Sequence, residues 1–166
     1  MQAERVLREK HNGVRFRNAR PHRRVPAEIY ARPYLTLPDV EFPVHVWLID
    51  GNLVRSWYKT DYTEGGHGYV YRWVPKDQIW IEKDLYVAEM PFIVVHEYLE
   101  LRLMRDRGIA YDRAHAICSK VEFDVRKGRG IKPLLAPGPR RLKKPDLHRL
   151  TRDDVFRYVT AHYLDR

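Results

Sequence analysis

The chain has 166 residues, about the size of one domain, and 44% of them are hydrophobic, which is enough for a folded core. Its single cysteine excludes an internal disulfide, and no apolar run approaches the roughly 20 residues of a membrane span, so we expect a cytoplasmic protein without a membrane partner. The formal net charge of +9 favours a polyanionic partner, nucleic acid first.

Three segments differ in composition. Residues 1–40 alternate basic clusters with prolines, a pattern that predicts an irregular N-terminal arm. Residues 41–128 carry the apolar periodicity of an α+β core, and residues 129–166 hold a basic, proline-rich linker and a final helix. The residues that we expect to contact nucleic acid are Arg23, Arg24, Arg140, Arg141, Lys143 and Lys144. A solubilising surface is the alternative, because charge alone carries no sequence specificity.

Several β-rich runs are predicted to form a small antiparallel sheet. The run at 44–58 contains the dipeptide Asp50-Gly51, which tolerates the positive φ angles of a tight turn, and it therefore predicts a β-hairpin. Residues 63–68 are glycine-rich and predict a loop. Residues 69–74 and 78–81 supply two further short strands.

The hydrophobic period changes to helical after this sheet. Pro91 suits a first turn and Gly108 suits a C-terminal cap, so a helix is predicted over 91–107. Asp112 is a good N-cap for a second helix over 112–127. The expected fold is α+β, with a small antiparallel sheet packed on a helical hairpin, a C-terminal helix and basic irregular arms.

Three titratable residues stand inside the first of these helices. At about 100° per residue, His96, Glu97 and Glu100 share one arc, whereas Arg102 and Arg105 lie on the opposite side. The acid–histidine group therefore faces the interior or a cleft. Because an unpaired buried carboxylate is expensive, each group is expected to have a cation, a hydrogen bond or a metal as its partner.

The segment HEYLE, residues 96–100, resembles the HExxH motif of zincin-type metallohydrolases. His96 and Glu100 are one helical turn apart and can converge on one ion, although the common motif has histidine where this chain has Glu100. The resemblance implies a site for zinc or another divalent cation, with Glu97 acting on a bound water. A histidine from elsewhere would complete a ligand set of two histidines and one glutamate.

The second helix offers two candidates for the third ligand. His115 and Glu122 are seven residues apart and share one stripe. In a simple antiparallel hairpin, Glu122 lies level with His96, whereas His115 is displaced by about 9 Å and is favoured if the helices cross steeply. Both residues remain candidates at this point.

Two other interpretations use the same residues. Carboxylates can bridge two metals between helices, although such sites usually read Glu-x-x-His. The glutamates could instead form a buried ion network with Arg102, Arg113 or Arg126, in which His96 is a hydrogen-bonded core residue.

His67, within a glycine-rich segment, is a further catalytic candidate. The glycines let the backbone place this histidine beside a cleft, where it would orient the substrate or stabilise an oxyanion. A loop histidine without a function is the alternative.

A second resemblance covers residues 44–122. The order of the segments WLIDGNLVR, GGHGYVYRWVPKDQIWI, HEYLELRLM and YDRAHAICSKVE is similar to that of short uncharacterised proteins encoded in bacteriophage and prophage genomes. This resemblance implies a standalone phage-type protein, with phage structural proteins as partners and the virion as a second location. It implies no particular activity.

The first functional prediction is therefore a zinc-dependent, zincin-like hydrolase that attacks an amide or a similar carbonyl. His96 and Glu100 would bind the metal with His115 or Glu122, and Glu97 would be the general base. The alternative is a non-enzymatic assembly or nucleic-acid-associated protein with basic arms. A nuclease that uses the same ligands with Mg²⁺ or Mn²⁺ is the third possibility.

Overall fold

The computed structural model describes residues 20–39, 43–136 and 144–164. In these ranges the chain forms a four-stranded sheet and five α-helices, which confirms the predicted α+β class. Within the same ranges, no helix has both the length and the apolar content needed to cross a membrane.

The sheet is mixed rather than wholly antiparallel. Its strands are β1 (Tyr30–Leu37), β2 (Val44–Ile49), β3 (Gly65–His67) and β4 (Gln78–Glu82), in the order β1-β2-β4-β3. The two central strands, β2 and β4, run parallel, and both edge strands run antiparallel to their neighbours. A helix and the edge strand β3 lie between β2 and β4 in the chain, which gives the long connection that a parallel pair requires.

The predicted hairpin at 44–58 is wrong. Asp50 caps helix α1 (Gly51–Tyr58) instead of forming a turn, since its carboxylate accepts a hydrogen bond of 3.2 Å from the backbone N–H of Leu53. An Asp-Gly pair suits both a hairpin turn and a helix start, and here the side-chain acceptor decides between them. Lys83 also pairs with the Asp50 carboxylate and ties this helix start to the end of β4.

Predictions for three other segments are also wrong. Residues 69–74, predicted as a strand, form turns, whereas Gly65 and Gly66 of the predicted loop belong to β3. Strand β1 lies within the segment predicted to be irregular. Its proline, Pro33, is tolerated because β1 is an edge strand and the register with β2 shifts between Pro33 and Leu35.

The helical hairpin follows its prediction closely. Helix α2 spans Met90–Arg107, and helix α3 spans Tyr111–Arg126. Gly108 ends α2 in the left-handed region, with φ +62°, and donates its N–H to the carbonyl of Leu103. The N-cap of α3 is Ala110 rather than Asp112, which lies in the first turn.

The C-terminal part of the chain completes the helical layer. Helix α4 (Lys132–Leu135) falls inside the stretch predicted as an irregular linker, and helix α5 (Asp153–Val159) is followed by a π-helical turn at Thr160–Leu164. Buried residues of α4 and α5 join the core formed by the sheet and the hairpin.

Helix α2 is enclosed on nearly all sides. It packs against β3 and β4 of the sheet and against α3. The arginine-bearing side of α2, predicted to be exposed, is covered because the Arg102 guanidinium lies 4.1 Å from the ring centre of Phe156 and pairs with Asp106. The polar groups of α2 therefore need partners inside the protein.

Candidate metal centre

A cavity of about 260 Å³ opens between strand β3 and the helices α2 and α3. Helix α2 contributes the histidine and both glutamates of the HEYLE segment, while β3 with its flanking loops and one side of α3 form the other walls. The residues that line the cavity are Thr63, Glu64, Gly65, Gly66, Val70, Tyr71, Ile93, His96, Glu97, Glu100, Tyr111, His115, Ser119 and Glu122.

Three side chains converge on one point of this cavity. His115 Nδ1 lies 2.9 Å from Glu100 Oε2 and 3.2 Å from His96 Nε2, and the third distance, His96 Nε2 to Glu100 Oε2, is 3.4 Å. Ligand atoms bound tetrahedrally to zinc at about 2.1 Å stand roughly 3.4 Å apart. The three atoms therefore match one triangular face of such a site, and they comprise two imidazoles and one carboxylate.

Glu122 reaches the other side of the same histidine. Its Oε2 lies 3.0 Å from His96 Nδ1, and its remaining oxygen pairs with Arg126. When the Nδ1 proton is donated to Glu122, the Nε2 lone pair is free to face the other two ligand atoms. The geometry thus gives the two candidates different positions, with His115 in the ligand triangle and Glu122 as a residue that orients His96.

His67 forms a hydrogen bond with Glu100 on the side of that carboxylate that faces the protein interior. The ring is fully buried, and its Nδ1 lies 3.2 Å from the backbone N–H of Tyr69, which donates to it. The proton must then sit on Nε2, which donates to Glu100 Oε1 over 3.1 Å. Burial lowers the pKa of His67, so the ring is neutral near pH 7.

This protonation state bears on a second possible cation site. His67, Glu97 and Glu100 also place one ligand atom each within 4.8 Å of one another. A cation there would need the His67 Nε2 lone pair and would move the ring proton to Nδ1, against the N–H of Tyr69. The hydrogen bond from Tyr69 therefore favours one metal rather than a carboxylate-bridged pair.

Glu97 lies beside the triangle and not in it. The residue is only 9% exposed, lines the cavity, and has no hydrogen bond or ion pair with any other residue that the structure describes. Gly65 makes room for it, because a Cβ at this glycine would stand 3.1 Å from Glu97 Oε1. Burial, together with the charge of Glu100, raises the pKa of Glu97 to about 8. A carboxyl group with such a pKa is suited to proton transfer near neutral pH.

The alternative arginine network is largely absent from the described residues. Arg102 pairs with Asp106, and Arg113 donates to the carbonyl of Leu164. Only Arg126 reaches the site, through Glu122. The counter-charge for the other carboxylates must therefore come from histidine or from a bound cation.

Without a metal, His96 supplies that charge. Burial alone would lower its pKa, but the hydrogen bonds with Glu100 and Glu122 outweigh burial and raise it to about 10. Burial would also raise the pKa of Glu100, yet its hydrogen bonds with His67 and His96 bring it to about 2. A proton on His96 thus neutralises the site where a cation would otherwise do so.

No protein-family model, curated protein or solved structure matches this chain. The zincin and phage resemblances therefore remain predictions, and the chemical interpretation depends on the site geometry.

The residues predicted to bind nucleic acid do not line this cavity where the structure describes them. Arg23, Arg24 and Lys144 are exposed. Arg140, Arg141 and Lys143 lie outside the described residues. Tyr71 and Tyr111, which line the cavity, were not among the predicted site residues, although Tyr111 stands one helical turn before His115 and could have been found by that spacing.

Proposed function

We propose that this protein is a zinc-dependent hydrolase that cleaves an amide or a similar carbonyl compound. The observation that carries the proposal is the triangle of His96 Nε2, His115 Nδ1 and Glu100 Oε2, with edges of 2.9–3.4 Å. Two imidazoles and one carboxylate suit zinc better than Mg²⁺, which prefers oxygen ligands, so this donor set does not favour the nuclease alternative. When bound, zinc would polarise the carbonyl and lower the pKa of a water ligand.

The residues around the triangle would supply the proton transfer and hold the ligands in position. Glu97, without a partner of its own in the described structure, is the general base that takes a proton from water and returns it to the leaving amine. His67 holds Glu100 through Oε1, and Glu122 holds His96 through Nδ1. These two contacts fix the orientation of two ligands before a metal arrives.

Metal analysis of the purified protein tests the first part of the proposal. Protein prepared without chelator is expected to contain, or to take up, about one equivalent of zinc by mass spectrometry. His96→Ala removes one corner of the triangle and should abolish tight binding. His148→Ala, at an exposed histidine, is the matched control and should retain the metal. Wild-type protein that takes up no zinc would refute the metal site.

Hydrolysis of a mixed peptide pool, followed by mass spectrometry, tests the second part. Glu97→Gln keeps the three ligands but removes the base, so the rate should fall by about 100-fold or more while zinc remains bound. Equal cleavage by wild type and Glu97→Gln would remove Glu97 from the reaction.

We also propose a polyanion-binding role for the basic segments. Arg23 and Arg24 are exposed and form no ion pair with the residues that the structure describes, and they belong to a chain of net charge +9. Affinity for duplex DNA should fall steeply between 50 and 200 mM salt, because the logarithm of the affinity falls by about 0.9 per phosphate contact for each tenfold rise in salt. Arg23→Ala/Arg24→Ala should reduce that slope, and a salt-independent affinity would contradict electrostatic binding.

A further inference from the structure

The cavity is acidic although the whole chain is basic. Glu64, Glu97, Glu100 and Glu122 line it, and no lysine or arginine among the described residues does so. His96 also lines the cavity and carries a positive charge when no metal is bound, but the four carboxyl groups outnumber it. An excess of one charge sign in a concave site concentrates ligands of the opposite sign.

Two of these carboxylates are already neutralised in the zinc-loaded site, and others are not. Glu122 pairs with Arg126, and Glu100 would offset part of the metal charge. Glu64 is exposed at the mouth and has no basic partner within the described ranges. Asp61, also exposed, has a hydrogen bond from Thr60 but likewise no described basic partner.

Glu97 adds an independent sign that the cavity receives a ligand group. It is nine-tenths buried, points into the cavity, and makes no hydrogen bond with the described part of the chain. Its oxygens are open to the cavity and have no partner among the described residues, so a group that occupies the cavity would have to satisfy them. The ligand that fits is one that brings a hydrogen-bond donor or a positive charge.

Two aromatic rings complete the walls. Tyr71 packs so closely on β3 that a Cβ at Gly66 would lie 2.5 Å from its ring, which fixes the position of that ring. Tyr111 lies on the other side, with its ring centre 5.3 Å from that of His115. Burial raises the pKa of both phenols, and the charges of Glu97 and Glu100 add to this rise in each case. Tyrosine faces beside carboxylates are a favourable environment for a cation.

We propose that the cavity selects substrates that carry an alkylammonium or guanidinium group next to the scissile amide, with Tyr71, Tyr111 and Glu64 as the selecting residues. That the cation belongs to a substrate rests on the proposed hydrolase function. The preference of the cavity for a cation depends only on the residues that line it.

Binding of two small probes tests that preference without any need for catalysis. The n-butylammonium ion and n-butanol have similar shapes and differ in charge, and each is titrated by ligand-observed NMR into protein with and without added zinc. We expect the ammonium ion to bind more tightly in both preparations and to weaken as salt is added. Equal binding of the two probes would overturn the inference.

Variants that remove one carboxylate charge show which residues produce the preference for the ammonium ion. Glu64→Gln should weaken n-butylammonium binding by about fivefold, the size expected for one partly exposed ion pair. Glu28→Gln removes an exposed carboxylate that does not line the cavity and should change nothing. A preference that survives Glu64→Gln and Tyr111→Ala together would place the cation elsewhere and contradict the proposal.

Three synthetic peptides then distinguish a side-chain cation from a terminal amine as the preferred group. One peptide has an acetylated N-terminus and an internal lysine, a second has norleucine in place of that lysine, and a third has norleucine with a free N-terminal amine. Preferred cleavage of the first peptide indicates a side-chain cation, and preferred cleavage of the third indicates a terminal amine. Cleavage indifferent to charge overturns this inference and leaves the hydrolase function intact. Selective probe binding without any cleavage supports the inference and contradicts the hydrolase.

Discussion

Glu100 is the residue on which the candidate metal centre depends. Its Oε1 accepts a hydrogen bond from His67, and its Oε2 lies 2.9 Å from His115 Nδ1. Each oxygen therefore has a separate task, one toward the buried interior and one toward the cavity. The local pattern of the sequence predicts that His96, Glu97 and Glu100 share one side of a helix, since this follows from three residue positions alone.

The third ligand was not predictable in the same way. The choice between His115 and Glu122 depends on how α3 packs against α2, which no local spacing determines. The structure places them at opposite ring nitrogens of His96, so both reach the site with different geometry. The glycines around His67 predicted that this histidine lies beside a cleft. Its contact with Glu100 joins residues 33 positions apart, so the local sequence could not predict it.

Glu122→Gln tests the distinction between a ligand and an orienting residue. The amide can still accept a hydrogen bond from His96 Nδ1, but the charge that favours it is lost. We expect zinc affinity to fall by about 10- to 100-fold, with the stoichiometry still at one, in a competition titration against a chromophoric chelator. Complete loss of zinc would instead make Glu122 a ligand, and unchanged affinity would remove it from the site.

At the scale of helices and strands, the residues that begin or end an element explain which predictions succeeded. Pro91 and Gly108 act only near helix ends, so the predicted bounds of α2 differ from the observed ones by one residue. The Asp50-Gly51 pair is typical of both a hairpin turn and a helix start, and no neighbouring residue distinguishes the two. Strand β3 is three residues long, too short for a detectable alternation, and forms through its pairing with β4.

Asp50→Ala measures the helix start that replaced the predicted hairpin. The substitution removes the acceptor for the N–H of Leu53 and the partner of Lys83. We expect the free energy of unfolding to fall by about 0.5–2 kcal/mol in urea titration. Asp84→Ala, at a nearby exposed position that caps no helix, is the control and should change stability less. A neutral effect of Asp50→Ala would argue against this cap as a stabilising contact.

At the scale of the whole molecule, the net charge of the chain and the charge of its cavity differ in sign. A chain of net charge +9 places four glutamate side chains in the wall of one cavity, and no lysine or arginine among the described residues lines that cavity. Composition predicts the excess of positive charge but not the acidic interior, because the cavity walls come from β3, α2 and α3 together. The two binding proposals therefore concern different parts of the molecule, a polyanion at the basic surface and a cation in the cavity.

Zinc uptake should be linked to proton release from the folded protein. The pKa of His96 is raised to about 10, above its ordinary 6.5, so its proton stabilises the metal-free fold fully below pH 6.5 and this contribution disappears as pH rises through about 10. At pH 7, zinc binding at Nε2 must displace that proton. We expect at least one proton per zinc in weakly buffered solution with a pH indicator, and apparent affinity that rises with pH up to about 10. Uptake without proton release would show that His96 is neutral before binding.

The uneven exposure of the three ligands has a kinetic consequence. The His115 side chain is 49% exposed, whereas those of His96 and Glu100 are only 8% and 3% exposed. An incoming ion would meet an outward-facing imidazole first and then transfer to the two inner groups, and a chelator would reverse these steps in the opposite order. Loading and stripping would therefore require the rotation of one surface side chain and no opening of the core. An ion at this site would therefore exchange without unfolding of the protein.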